Sequence, residues 1–480
     1  MATKRLKPPK SAKLRKRAAR LERFKQSQRQ LSAKERGKVM LWQIKKVLHC
    51  HFPDLQARLS SLKDPRKGTE YTIEELVMAA IVLFILNCDS RNDFNNKRKD
   101  KQFCWNYYRM FRLRLPHMDA VNDLFKKMEP DELEKIRCRL INALIEKRVL
   151  HIFRFFGTYF YIAVDGTGVY NWGDKPPEGI HNHALKKESS KGKLSYSSQV
   201  LEAVLVCKNG LTVPLMSEWI ANDEPQYDKQ DCESKAFKRL AVRLHKYFPR
   251  LNICILADGL YSNVSIMNIC QEYGWKFITV FRDGNLPSVW EDVNSLLPLA
   301  GGAESCQQQL CDSTHWITRN YRWIKNIEYK KHCIHWIECS QETTHRKKTN
   351  EKVSNRFVFL TSMDVNVNNI VSILTAGRAR WYIEDHFNTQ KNRGGNLHHK
   401  FNRQNFMAIK NWHSTRQLTC MIKEFVKHTS ELQQLMKEDA KMTWKELWKN
   451  LNSYLTMCMV KELIVEFEHW SKSGRQARLE

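Results

Sequence analysis

The spacing of hydrophobic residues changes partway along this chain. From residue 41 to about 150, apolar residues recur every three or four positions, which is typical of amphipathic helices. A capping box, Thr72 with Glu75, precedes the apolar run that begins at Leu76. At residue 158 the spacing shortens to every second position, which indicates β-strands. The sequence therefore predicts a helical region followed by a region built on a sheet.

The second region alternates strands with helices. Asn209-Gly210 lies between two apolar runs and predicts a hairpin. The chain between 173 and 193 is polar and holds glycine and proline, so we expect a loop there. The predicted strands span 158–164, 198–207, 212–220, 252–257, 275–281 and 356–361, and the first predicted helices among them span 231–248 and 262–271.

This order of elements predicts a fold class. A strand is followed by a hairpin, and then a helix, a strand, a helix and a strand follow. An antiparallel hairpin inside an otherwise parallel order predicts a ribonuclease-H-like mixed sheet, in the α/β class. No GxGxxG follows any predicted strand, which argues against a dinucleotide-binding Rossmann fold. Residues 282–356 alternate in a way that predicts a β-rich insertion, and helices are expected before and after the core.

The net positive charge of the chain indicates a kind of binding partner. The net charge of +29 implies a polyanion, with nucleic acid as the first candidate and an acidic membrane surface as the second. The first 40 residues carry much of this excess, and Arg15, Lys16 and Arg17 are at its centre. We interpret this segment as a basic arm that binds the phosphate backbone, with a solubilising tail as the alternative.

These observations predict five segments. They are a basic arm (1–40), a helical DNA-binding region (41–150), a catalytic core (151–281 and 357–400), the β-strand insertion (282–356) and a C-terminal helical region (401–480).

The cysteines and the apolar runs indicate where the protein works. No two of the 14 cysteines form a CxxC pair, and most lie in apolar runs, which is typical of buried thiols in a reducing compartment. His332, His335 and Cys339 fall in an alternating, strand-like run, which argues against a zinc site. The apolar run 76–86 is too short to span a bilayer, and no signal peptide is evident. We expect a cytoplasmic protein, associated with the nucleoid through DNA, and no membrane partner.

Three acidic residues in separate elements are the candidate catalytic groups. Asp165 and Asp258 each directly follow an apolar strand and precede a glycine, at the strand ends where catalytic groups gather in layered α/β folds. Glu384 lies in the segment 375–391, which as one helix would place Arg380, Glu384 and Lys391 on a common face. Taken alone, that helix reads as a surface ion pair.

Converging carboxylates repel one another, and bound divalent cations reverse that repulsion. Their hard oxygen ligands suit Mg²⁺ or Mn²⁺, and two such ions can drive phosphodiester displacement. Arg380 and Lys391 would then bind the flanking phosphates. The three acids therefore predict a metal-dependent phosphodiester site.

Other acids compete for these roles. Asp385 follows Glu384 but points about 100° away on a helix. Further acids lie near predicted strand ends: Asp174, Glu218, Asp223 and Asp283. We prefer Asp165 and Asp258 because each follows an apolar central strand directly.

The arrangement resembles the DDE transposases of bacterial insertion sequences, in the branch with a Tyr-x2-Arg-x3-Glu-x6-Lys signature. Arg380, Glu384 and Lys391 match that signature, whereas Gly377 stands where the family has tyrosine. The β insertion before the glutamate and the Asp-Gly-Leu-Tyr motif at Asp258 are also similar to that branch. The resemblance spans roughly residues 55 to 425.

The resemblance implies a function. A homodimer would pair the terminal inverted repeats of a mobile element, cut the double-stranded DNA by metal-dependent hydrolysis and join the 3′-hydroxyls to target DNA. Two Mg²⁺ or Mn²⁺ ions would be held by Asp165, Asp258 and Glu384. A DNA hairpin intermediate can form in this branch, and an aromatic side chain then stacks on a flipped base. Trp323 and Trp381, with Trp316 and Trp336, are candidates, and core packing is the alternative for each.

Two alternatives remain open at this point. One is a nuclease of the same fold that cuts DNA without strand transfer. The other is a non-catalytic, DNA-binding descendant of a transposase.

Overall fold

The computed structural model describes residues 31–222, 230–299, 301–346, 352–439 and 441–480. It is a mixed α/β structure in which helices flank a large mixed sheet. The chain forms two compact units. One, the helical unit, combines the chain up to Cys50 with Lys97–Arg114 and Val426–Glu480. The other, the sheet unit, combines His51–Asn96 with Leu115–Phe425.

The elements alternate between helices and strands only after residue 160. The α-helices of the described residues are α1 (Ala33–His51), α2 (Leu55–Ser60), α3 (Ile73–Ile85), α4 (Arg91–Arg98), α5 (Lys101–Phe111), α6 (Met118–Phe125), α7 (Asp131–Glu146), α8 (Glu178–His181), α9 (Glu233–Tyr247), α10 (Val264–Glu272), α11 (Pro287–Leu296), α12 (Ile370–Arg378), α13 (Trp381–Asn392), α14 (Phe406–Lys427), α15 (Ser430–Glu438), α16 (Trp444–Met457) and α17 (Lys461–Lys472). The strands are β1 (Phe160–Gly173), β2 (Leu185–Glu188), β3 (Leu194–Val206), β4 (Thr212–Ile220), β5 (Ile253–Ala257), β6 (Lys276–Val280), β7 (Glu304–Cys311), β8 (His315–Tyr329), β9 (His332–His345) and β10 (Lys352–Thr361). Within the part of the chain that is described, no helix has both the length and the apolar character that crossing a bilayer requires.

The helical unit is held together by close helix contacts. Trp42 on α1 packs edge-on against Phe467 on α17, with ring centroids 5.7 Å apart. The buried Asn106 side chain on α5 donates to the carbonyls of Leu455 and Cys458, at 2.7 and 2.8 Å. These bonds satisfy the open carbonyls where α16 ends.

The sheet follows the order β2-β3-β1-β5-β6-β10-β9-β8-β7, and β4 pairs with β3 beside β2. Strand β1 runs parallel to β5, and β5 runs parallel to β6, whereas β3 is antiparallel to β1 and to β4. β10 joins β6 in antiparallel pairing, so β7, β8 and β9 extend the same sheet beyond β6. The predicted Asn-Gly hairpin is confirmed, since β3 and β4 flank Asn209 and Gly210.

Several predicted boundaries were wrong, each for a local reason. β1 continues to Gly173 because β3 pairs with it past two irregular steps, so Asp165 lies within a strand and not beyond its end. The polar segment expected to be a loop contains α8 and the edge strand β2, which pairs with β3. Helix α10 begins at Val264, two residues after its predicted start, because the side chain of its N-cap residue Asn263 accepts from the Ile266 amide.

The segment read as one helix over 375–391 is two helices. α12 ends at Arg378 and α13 begins at Trp381. Between them the amides bond three residues back, from Arg380 to Gly377 and from Ile383 to Arg380. This tighter turn interrupts the α-helical ladder beside Arg380.

Helices α12 and α13 cover one face of the sheet. Ile373 on α12 and Ile383 on α13 belong to the same buried cluster as Ala163 on β1 and Leu256 on β5. Since side chains alternate along a strand, residue 165 shares its face of β1 with residue 163. The core therefore brings α13, which carries Glu384, onto the face that carries Asp165.

Candidate functional site

Strand register places the two aspartates side by side. Ala163 on β1 is paired with Leu256 on the parallel strand β5. Two residues further along each strand come Asp165 and Asp258. Asp258 is partly buried, and its carboxylate accepts from the Leu260 amide at 2.9 Å, which holds the turn that follows β5.

Arg380 ties Glu384 to Asp165. One guanidinium nitrogen donates to Glu384 Oε1 at 2.7 Å, and another lies 3.6 Å from Asp165 Oδ2. The Arg380 side chain is 5% exposed, and its Nε has no hydrogen-bond partner among the residues that the structure describes. Arg380 was predicted to be a phosphate ligand on an open helix face. The structure corrects this, because the tight turn before α13 buries its guanidinium between the two carboxylates.

A fourth carboxylate joins these groups. Glu233, the first residue of α9, accepts a hydrogen bond from the Tyr261 hydroxyl at 3.0 Å. Its carboxylate packs on Gly166, where any side chain would collide with it. We refer to Asp165, Glu233, Asp258 and Glu384 as the acid cluster. Glu233 could not be predicted from the sequence, because it stands in no motif and reaches the cluster only through the packing of α9.

The electrostatics of the acid cluster show a shortage of positive charge. The pKa of Asp165 is raised to about 6, chiefly by burial and also by the nearby carboxylates of Glu233 and Asp258, while Arg380 opposes the rise. Burial also raises the pKa of Glu233, and Asp258 adds to this effect while the Tyr261 hydrogen bond opposes it. Arg282 lies 3.6 Å from Asp258 but is 63% exposed, so solvent weakens its contribution. Buried negative charge therefore accumulates here.

Helix α13 is held in place by a buried polar network. Gln390 on α13 bonds His386 and the α14 residue Gln417. Gln417 and His413 both bond Glu202, at 3.0 and 2.7 Å. Glu202 lies directly opposite Asp165 in the β1–β3 pairing. Because these buried side chains bond one another across three elements, the network fixes how α13 lies over the sheet.

Close packing against the sheet explains why position 377 is a glycine. A Cβ at this position would come within 2.9 Å of Ile278 and 3.3 Å of the Phe359 ring, on β6 and β10. A tyrosine, which the resembling family has here, would need space that the sheet already fills. Gly377 therefore lets α12 approach the sheet closely.

The remaining residues predicted to bind DNA differ in how exposed they are. Lys391 is partly exposed on α13, with its ammonium 6.0 Å from the centre of the Phe387 ring. Trp381 is 57% exposed, and the Arg380 guanidinium lies 4.9 Å from its ring centre. Trp323 was wrong as a stacking candidate, because it is 1% exposed in the core and no base can reach its ring.

The other tryptophan candidates also differ, since Trp336 is fully buried whereas Trp316 is 54% exposed. Arg15, Lys16 and Arg17 lie outside the described residues.

The competing acids that the structure describes are either paired with other arginines or exposed. Glu218 is bound by Arg239 and Arg243 and is largely buried. Asp385 is exposed and pairs with Arg393 at 3.3 Å. Asp174 and Asp283 are exposed, and Asp223 is outside the described residues.

Carboxylate oxygens are the donors that Mg²⁺ and Mn²⁺ prefer, so the acid cluster fits these ions by its chemistry. The accumulated negative charge at Asp165 fits them as well, because a divalent cation would stabilise the ionised carboxylate. Within the described residues, no three His, Cys, Asp or Glu side chains converge closely enough to form a ready-made metal site. Instead, the Arg380 guanidinium bridges Asp165 and Glu384.

Comparison with known proteins gives no relative for this chain: no family model matches it, and no curated protein matches it.

Proposed function

We propose that the protein is a divalent-metal-dependent DNA transposase, acting through Asp165, Asp258 and Glu384 on a ribonuclease-H-like core. The observation that carries this proposal is that Arg380 joins Asp165 to Glu384, while the pairing of β1 with β5 brings Asp258 next to Asp165. The route to this function is the resemblance of the signature around Glu384 to DDE transposases.

The strand order supports the ribonuclease-H-like part of the proposal. The sheet contains the run β4-β3-β1-β5-β6, in which β3 alone is antiparallel to the others. Helix α9 follows β4, and α10 connects β5 to β6. These are the elements that the sequence pattern predicted for such a core, in a sheet that continues through β10 to β7.

The residues of the site have separate roles in this proposal. Asp165, Asp258 and Glu384 would hold Mg²⁺ or Mn²⁺, which when bound supply Lewis acidity toward a phosphodiester. Arg380 provides a fixed positive charge next to Asp165, and it opposes protonation of that carboxylate. Glu233 is oriented by the Tyr261 hydroxyl and adds negative charge on the α9 side.

In the proposed reaction, water attacks the phosphorus and the bond to the 3′-oxygen breaks, which leaves a 3′-hydroxyl on the DNA. That hydroxyl then attacks a phosphodiester of the target strand: a new bond forms between its oxygen and the phosphorus, and the bond to the target's own 3′-oxygen breaks, which leaves a 3′-hydroxyl on the target. The net charge of +29 supports a DNA partner, and the proposed working form is a homodimer that holds two element ends.

The experiment uses DNA that carries the inverted repeats flanking the coding region, incubated with Mg²⁺ or Mn²⁺. We expect the natural protein to cut at the repeat ends and Glu384→Gln to lose this activity. Asp385→Asn is the matched control, because Asp385 is the adjacent acid and pairs only with the exposed Arg393 among the described residues. Equal cleavage by Glu384→Gln and the natural protein would overturn the assignment.

The same reactions test the alternatives. Products in which element ends are joined to target DNA distinguish a transposase from a nuclease of the same fold. DNA binding without any metal-dependent cutting would instead favour the non-catalytic descendant.

A further inference from the structure

The mixed sheet has an open edge at β7. This strand is the last in the sheet order, and it pairs with β8 on one side. On its other side, none of the described residues supplies a neighbouring strand. The backbone amides and carbonyls along that side are therefore available to pair with another extended chain.

Two other open edges of this sheet carry charges that hinder such pairing, whereas β7 does not. The edge strand β2 contains two lysines and a glutamate among its four residues. The first part of β10 has only β9 beside it, because β6 pairs with Phe359–Thr361 alone, and this part contains Lys352 and Arg356. β7 contains no lysine, arginine or proline, and its one charged residue, Glu304, is bonded to Lys325 at 2.6 Å. β7 therefore lacks the charged residues by which proteins usually prevent pairing between chains.

β7 is a neutral strand in a strongly basic chain. Each copy of the chain carries a net charge of +29, so two copies repel each other unless they meet where positive charge is sparse. β7 is such a place, and three consecutive glutamines, 307–309, occupy its centre. Each glutamine amide has both donors and an acceptor, so glutamine can bond glutamine. A charged partner would gain no ion pair from these residues, which makes a second copy of the chain the partner that fits.

Two-fold symmetry limits how two copies of β7 can pair. When a sheet continues from one copy to the other, a two-fold axis perpendicular to it keeps each side chain on its own face, so paired positions are an even number of residues apart. With the axis at Gln308, this residue lies opposite its own copy, and Gln307 lies opposite Gln309 of the partner subunit. All three glutamines then face glutamines, whereas moving the axis by one residue leaves one such pair.

Two of these amides are already oriented within the chain. The Tyr321 hydroxyl donates to Gln308 Oε1 at 3.1 Å, and Gln307 Nε2 donates to Asn320 Oδ1 at 2.8 Å. Gln308 Nε2 and Gln307 Oε1 form no hydrogen bond with the described residues. A donor on one glutamine and an acceptor on the next are therefore left to bond the opposite strand.

We propose that β7 pairs in antiparallel orientation with β7 of a second copy of this chain, centred on Gln308, so that one sheet runs through both copies. This inference deepens the proposed function, on whose homodimer it rests, by giving that homodimer an interface. The pairing requires neither the acid cluster nor DNA nor a metal ion.

The first test measures molar mass by light scattering at several protein concentrations, without DNA or metal. The natural protein should dimerise, and Gln307→Lys/Gln309→Lys should raise the dissociation constant at least about 10-fold, because the new lysines would lie opposite one another. The matched control, Val353→Lys/Asn355→Lys, adds the same charge at two exposed positions of β10 and should dimerise as the natural protein does. A monomeric natural protein, or equal weakening by both variants, would overturn the proposal.

Cysteine cross-linking tests the position of the axis. Gln308→Cys should form a disulfide-linked dimer under mild oxidation, because opposite residues of antiparallel strands have Cα atoms about 4.5–5.5 Å apart, within the span of a disulfide. Ser354→Cys, on the exposed part of β10, is the control, and the natural protein gives the background from its own cysteines. Cross-linking of Gln308→Cys no greater than that of the control would overturn the pairing centred on Gln308. Since neither measurement uses DNA or metal, failure here would leave the cleavage test of Glu384 unaffected.

Discussion

Two groups of acidic residues in the sheet unit are neutralised in very different ways. In one, which we call the paired cluster, Glu134, Glu218 and Asp231 meet three arginines. Arg239 bonds Glu218 at 2.6 Å and Asp231 at 2.7 Å, and Arg243 bridges Glu134 and Glu218. Each of these carboxylates has at least one arginine partner within hydrogen-bond distance.

The acid cluster lacks that balance. Its four carboxylates have one buried arginine, Arg380, and one exposed arginine, Arg282, among the described residues. Burial, and then the nearby carboxylates of Glu233 and Asp258, raise the pKa of Asp165. Acidic residues of the sheet unit are therefore not equivalent: paired acids stabilise the fold, and under-neutralised acids are the candidates for binding a cation.

The largest expected difference between the clusters is in catalysis. Asp165→Asn and Asp258→Asn should each lower the rate of metal-dependent DNA cleavage by at least about 1,000-fold, since each removes a proposed metal ligand. Glu218→Gln, in the paired cluster, should stay within about 3-fold of the natural protein once folded protein is counted. Comparable losses in all three variants, measured on end-labelled DNA, would remove the distinction.

Substitutions in the paired cluster should lower the stability of the fold. Glu134→Gln should lower the free energy of unfolding by about 3–5 kcal/mol, because Arg137 is fully buried and loses its carboxylate partner. Denaturant unfolding at neutral pH measures this value. Glu132→Gln, two residues before Glu134 in the same helix and more exposed, serves as the control and should change stability by about 0.5 kcal/mol or less. A loss as small as that of the control would show that the paired cluster is not structural.

The pH dependence of the free energy of unfolding should reveal the raised pKa of Asp165. Its pKa is about 6 in the folded protein and 3.8 in an unfolded chain, so the folded state holds its proton more tightly. Ionisation of Asp165 therefore destabilises the fold as pH rises from about 4 to about 6, and the effect is then constant. In metal-free buffer, the free energy of unfolding of Asp165→Asn should rise by up to about 3 kcal/mol relative to that of the natural protein across this range.

The measurement is denaturant unfolding at several pH values between about 4 and 8. Asp385→Asn removes an exposed acid from the same region of the chain and should show no such rise. A difference between Asp165→Asn and the natural protein that stays constant with pH would contradict the raised pKa.

The smallest effect concerns the helix that leads to Glu384. Gly377→Ala should destabilise the protein by about 1–3 kcal/mol, because the new methyl group would press on Ile278 and Phe359. Gly168→Ala on β1 is the control, since a Cβ there has no neighbour within 4 Å. Thermal unfolding of the two variants compares them directly. Equal stability would show that α12 can shift away from the sheet.

Much of the sheet could be predicted because its signals are local. Period-two alternation and the Asn-Gly turn identify β3 and β4, and an apolar run identifies β5. Asp258 was found because it directly follows that run. Asp165 was found for the same reason, although β1 continues beyond it through pairing with β3.

The parts that could not be predicted depend on contacts between distant segments. Glu233 enters the acid cluster only when α9 packs over Gly166, and nothing in the sequence around it signals that contact. The burial of Arg380 follows from a tight turn that helical periodicity does not reveal. Trp323 and Trp381 have similar polar and apolar neighbours in sequence, yet one lies in the core and the other is exposed.

The most direct test of the central claim is to count bound Mn²⁺ by electron paramagnetic resonance. The natural protein and Glu218→Gln should each bind about two ions per chain, whereas Asp165→Asn/Asp258→Asn should bind fewer. This result would show that the under-neutralised acids, and not the paired acids, hold the cation. If the double variant bound as much Mn²⁺ as the natural protein, or if the natural protein bound none, the account would be contradicted.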